Sequence, residues 1–75
     1  MQEFDRISVN PEIMGGRPCI RGMRFPISRI LSMLAARENE EDILANHPDL
    51  EPEDIRQAMS YAARIADEEV VLQQR

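Results

Sequence analysis

The run PISRILSMLAARENEEDILANHPDLEPEDIRQAMSYAARIA, Pro26 to Ala66, decides the fold. Pro26 suits the first position of a helix, where a missing N–H costs nothing. Ile27, Ile30, Leu31, Leu34 and Ala35 then recur at the spacing of one helical face. The pattern fades near Arg37. Asn39 followed by Glu40, Glu41 and Asp42 predicts an N-cap with acids in the first turn. It opens a short second helix carrying Ile43 and Leu44, which His47-Pro48 ends. Leu50 can tuck into the core. Pro52 starts a third helix, with Glu53 and Asp54 favouring its N-terminal dipole. Its buried stripe is predicted as Ile55, Ala58, Met59, Ala62, Ile65 and Ala66. Arg56, Gln57, Ser60, Arg64 and Asp67 face outward. The helix can run on through Val70–Leu72. Three helices joined by turns this short are compatible with a helix-turn-helix, a spacing that any small three-helix bundle shares.

Upstream of Pro26 the signals change to strand and turn. In residues 4–9, FDRISV, Ile7 and Val9 share one face and Arg6 and Ser8 the other. Asn10-Pro11 and Gly15-Gly16 mark turns. Residues 18–25, PCIRGMRF, form a second strand candidate, with Cys19, Arg21, Met23 and Phe25 on one face and Ile20, Gly22 and Arg24 on the other. Two strands alone are barely stable in water, so the pair is expected to join elements of a second copy. The expected fold class is mainly α: a three-helix bundle of helix-turn-helix type preceded by a short hairpin or strand pair. A single domain spans 1–75, with 1–25 as the dimerising strand segment, 26–66 as the helical core and 67–75 as a helical tail.

A chain of 75 residues buries only roughly 60% of its unfolded surface and is marginal alone. Disulfides, a metal or oligomerisation usually compensate. The single Cys19 excludes an internal disulfide, and Cys19 with the single His47 cannot complete a four-ligand zinc site. Oligomerisation remains. No long apolar run and no signal-peptide pattern is present, so the expected location is cytoplasmic, with no membrane partner. The net charge of −5 is uneven: residues 1–30 carry five arginines against three acids, and residues 31–75 four arginines against eleven acids. There is no lysine. Arginine suits planar, bidentate contacts, while an acidic chain is a poor non-specific nucleic-acid binder.

No enzyme constellation stands out, and no cofactor is expected. Gly15, Gly16 and Gly22 do not match a dinucleotide or phosphate loop; they suit turns or a bulge. Cys19 has no histidine in its own segment to act as base, and alternation places it beside Met23 and Phe25 as a small hydrophobe. His47 is a helix-end residue over the last carbonyls rather than a ligand. The acids at 40–42 and 51–54 sit where helix starts favour them. Arg56, Gln57, Ser60 and Arg64 are side-chain types that read base edges from a recognition helix; the alternative is that Arg56 and Arg64 are solvated or pair with acids of their own helix. Against that reading, Glu51, Glu53 and Asp54 at the same helix start would repel phosphates.

The runs IMGGRPCIRGMRFPISRIL and EEDILANHPDLEPEDIRQAMSYAA resemble the bacterial domain-of-unknown-function family numbered four hundred and thirty-three, over residues 5–64. The resemblance implies a homeodomain-like helix-turn-helix. It also implies an antitoxin of the VapB type, a dimer that blocks a PIN-like ribonuclease toxin and binds operator DNA. Three positions depart from the family pattern: Met23 replaces threonine, Arg37 replaces the glycine that ends the first helix, and Glu51 replaces a threonine or serine cap. Within this reading, Arg17, Arg21 and Arg24 either pair with acids of a second subunit or form a phosphate-facing edge. For toxin contact the C-terminal end, Asp67 to Arg75, with Glu69, Val70, Val71 and Leu72, is expected to lie over a basic ribonuclease surface as a helix in a groove; the alternative is a helix that packs on its own dimer mate. The alternatives are a stand-alone DNA-binding regulator and a non-catalytic interaction module.

Overall fold

Helix ends in this chain are set by local chemistry, and the elements form where that chemistry allows. A computed structural model describes residues 4–73, and the side chains of 4–68. The elements are β1 (Ile7–Ser8), β2 (Cys19–Ile20), α1 (Ile27–Ala35), α2 (Glu40–Asn46) and α3 (Pro52–Gln73). The fold is a three-helix bundle preceded by an antiparallel strand pair, in which Ile7 faces Ile20 and Ser8 faces Cys19.

The strands are much shorter than the candidate runs. Arg21 and Gly22 have φ of 44 and 73, and the Met23 N–H donates to the Ile20 carbonyl at 2.8 Å. Two consecutive positive φ values make the tight hairpin turn whose twist matches paired strands. The chain therefore doubles back. The Ile20 N–H donates to the Phe25 carbonyl at 3.0 Å and the Ile27 N–H to the Pro18 carbonyl at 2.9 Å. Residues 18–25 are a fold-back, not one strand; Cys19 and Ile20, expected on opposite faces that both need cover, are both buried.

α1 begins one residue later than expected, with Pro26 as its extended cap. At its other end, Arg37 has φ 71. The Arg37 N–H donates to the Leu34 carbonyl at 2.9 Å and the Glu38 N–H to Met33 at 3.0 Å. This is the Schellman closure, built on an arginine where glycine is preferred. α2 starts as expected: Asn39 Oδ1 accepts the Asp42 N–H at 2.8 Å. α3 starts at Pro52. Glu51 supplies no side-chain cap, but Asp54 Oδ2 accepts the Glu51 N–H at 2.8 Å, the returning half of a capping box.

The core is Ile20, Ile27, Ile30, Ile43, Leu50, Ile55 and Ala58, so the hairpin and every helix contribute to it. Each isoleucine buried there stabilises by about 1.5–3 kcal/mol. The α3 stripe is only half covered. Ile55 and Ala58 are buried, but Met59 is 43% and Ile65 38% exposed, and Ala66 is exposed. Relative length explains this. The 22 residues of α3 rise about 33 Å, whereas α1 has 9 residues and α2 has 7. The shorter helices run out before α3 does.

Candidate functional site

The start of α3, expected to face outward as a reading surface, is tied down from inside the chain. Asp54 has no exposed surface. It accepts Arg21 Nε at 3.1 Å and a terminal guanidinium nitrogen of Arg21 at 2.9 Å. It also accepts Arg6 at 3.1 Å and the Glu51 N–H. Arg6 reaches on to Glu51 at 2.6 Å, and Arg21 donates to the Asp49 carbonyl at 2.6 Å. Burial pushes the Asp54 carboxyl up. The hydrogen bonds from Arg21, the Glu51 N–H and Arg6 outweigh it, and Asp54 sits below its ordinary 3.8. This clamp fastens the N-terminal segment and the hairpin turn to the first turn of α3. Arg21, which the clamp engages, is the residue with φ 44.

Gln57 is the clearest correction. It was expected outward among the base-reading residues, but it is only 4% exposed. Its side-chain oxygen accepts the Arg6 N–H at 3.0 Å. Its amide nitrogen donates to Asp5 at 2.8 Å and Glu53 at 3.1 Å. The N-terminal segment lies across that face of the helix and covers it. Arg56 is outward, as expected, but forms an ion pair with Glu53 at 2.6 Å. That contact, with a hydrogen bond from Gln57, holds the Glu53 carboxyl down at about 2. Ser60 and Arg64 are exposed, and the Arg64 guanidinium lies over the Phe4 ring, 5.6 Å from its centroid.

Arg17 and Arg24 are exposed and make no ion pair among the described residues. Arg21, grouped with them in the sequence, is separated from them by the clamp. Cys19 is a buried free thiol. His47 packs edge-on against Phe25 at 5.4 Å. Among the described residues no group of three or more His, Cys, Asp or Glu could hold a metal ion. No described helix is long and apolar enough to cross a membrane. The side chains of Glu69, Val70, Val71 and Leu72 lie outside the described residues.

A second feature was not read from the sequence. Pro18, Ile27, Ser28 and Leu31 form one wall of an apolar groove, and Tyr61, Ala62, Ile65 and Ala66 form the other. No lining residue is charged. Its only sequence signal was an α3 stripe longer than α1 could cover.

A family model described as "Protein of unknown function (DUF433)" matches residues 7–62. An uncharacterized protein of Sinorhizobium fredii, y4eO, is 38% identical over 56 residues, which are 75% of this chain and 25% of that protein. The chain thus spans about a quarter of the length of the curated relative it matches. The crystal structure of a DUF433 member from Anabaena variabilis aligns at a TM-score of 0.77 and 27% identity, over 84% of this chain and 62% of that one.

Proposed function

Because the chain belongs to the DUF433 family of proteins of unknown function, we propose that it is a non-catalytic binding protein of antitoxin type, whose partner is a PIN-like ribonuclease. One observation carries this reading: α3 extends past its own core. Residues 63–68 of α3 hold no buried side chain, and the helix continues to Gln73. A helix that outlasts its packing is suited to dock against another polypeptide. Its outer half presents Asp67 and Glu68, both exposed, which suit a basic nuclease surface.

Operator DNA is the second reading. Burial of Gln57 and the Arg56–Glu53 pair weaken the base-reading role of α3. Arg17 and Arg24, exposed and without an ion pair among the described residues, favour a phosphate contact instead.

The test is co-expression with the product of the adjacent gene. The expected outcome is a stable complex in which the nuclease is inhibited, with inhibition lost in Asp67→Arg/Glu68→Arg. Failure to inhibit any co-encoded nuclease would overturn the antitoxin reading. For DNA, a salt-dependent shift of the promoter region should weaken in Arg17→Ala/Arg24→Ala more than in Arg56→Ala. The absence of any shift removes that role.

A further inference from the structure

We infer that one face of α3 is a docking track for an extended, arginine-bearing peptide segment of a protein partner, and that residues 4–6 of this chain occupy the track in cis as a displaceable strap. That the partner is a nuclease rests on the antitoxin reading; the track and its strap do not.

The chemistry of the track is visible in its present occupant. Residues 4–6 climb α3 turn by turn. Arg6 meets Glu51 at 2.6 Å and Asp54 at 3.1 Å. The Arg6 N–H donates to the Gln57 side-chain oxygen, and the Asp5 carboxylate accepts from its amide nitrogen. The Phe4 ring packs edge-on against Tyr61, 5.3 Å between centroids. Asp54, Gln57 and Tyr61 recur at the spacing of one helical face. Glu68 lies on that face about two turns beyond Tyr61, exposed and past the contacts of the strap. Carboxylates suit an arginine. The Gln57 oxygen takes a backbone N–H, a group that every extended segment other than proline carries.

The strap can leave without unfolding the protein. None of residues 4–6 belongs to the core. Asp5 is exposed, and Phe4 and Arg6 are half-buried. Among the described residues, one backbone bond ties the strap to another element, from the Arg21 N–H to the Arg6 carbonyl at 2.9 Å. When Arg6 departs, Asp54 keeps both nitrogens of Arg21 and the Glu51 N–H, so no buried charge is stranded. A basic segment seated on Glu68 and running towards Asp54 meets the strap and competes with it. The strap competes from its tether at a high effective concentration. Loosening it therefore raises the apparent affinity for an incoming segment.

The test is an NMR titration of the full-length chain with a capped peptide of residues 4–8, FDRIS, followed at the Gln57 side-chain amide and the Tyr61 ring. Phe4→Ala/Asp5→Ala loosens the strap and should bind the peptide at least several-fold more tightly than the wild type. Asp5→Ala alone, at an exposed position, is a second and milder strap variant that should show a smaller gain. In the loosened chain Glu51→Arg should weaken binding several-fold, as should Arg6→Glu in the peptide, while circular dichroism shows the helices retained. Absence of binding to either loosened chain overturns the inference, as does equal binding by the wild type or indifference to both charge changes. Peptide binding gained on loosening supports the track even where no nuclease is inhibited. Nuclease inhibition without that gain sinks the track and leaves the antitoxin reading standing.

Discussion

Asp54 does two jobs at once: it closes the first turn of α3 and neutralises two arginines from distant segments. Arg21 and Arg6 lie 33 and 48 residues away in sequence. Asp54→Ala would leave both guanidinium groups without their buried partner. They are 34% and 29% exposed and keep contacts to the Asp49 carbonyl and Glu51, which softens the loss. The expected cost is roughly 2–4 kcal/mol in urea unfolding. The pH dependence follows from the depressed carboxyl. Its contribution is complete above the ordinary value of 3.8 and is lost as pH falls through the lower folded value. Acid titration of stability should therefore be steeper in the wild type than in Asp54→Asn. Glu53 offers a direct readout: Arg56→Ala should raise its carboxyl from about 2 towards its ordinary 4.5, seen by NMR titration. The acid at position 54 was legible as helix-start chemistry. Its buried partners were not, because a spacing of tens of residues carries no periodic signal.

Helix boundaries were far more legible, because a cap involves residues only two to five apart. Asn39 and Pro52 stand where their side-chain chemistry places them. Asn39→Ala should cost about 1 kcal/mol by removing the acceptor for the Asp42 N–H. Arg37 occupies a position that favours glycine. Arg37→Gly should stabilise the fold by about 1 kcal/mol, read as a higher melting temperature, since the left-handed conformation strains every side chain with a Cβ. A loss of stability would mean that Arg37 makes contacts worth more than the strain. The hairpin was less legible. The alternation in residues 18–25 suggested one strand, but a residue with φ 44 ahead of glycine reversed the chain. Non-glycine residues enter that region rarely, and here the ion pair to Asp54 accompanies it.

For the whole molecule, size and the uneven lengths of its helices set the behaviour. A domain this small, with an uncovered apolar groove, should gain stability from association. Its melting temperature should therefore rise with protein concentration, as it does when folding and dimerisation are coupled. A concentration-independent transition would describe a self-sufficient monomer. The number of helices, their order, their caps and the central core residues Ile30, Ile43 and Ile55 were determined by the sequence alone, because each rests on periodicity or short-range hydrogen bonding. Only the tertiary structure decided that Gln57 faces inward, that Asp54 is the hub of a clamp, and that half of the α3 stripe is left bare. Those outcomes depend on which distant segments meet and on how far a 9-residue helix can cover a 22-residue one, and neither is encoded in any local pattern.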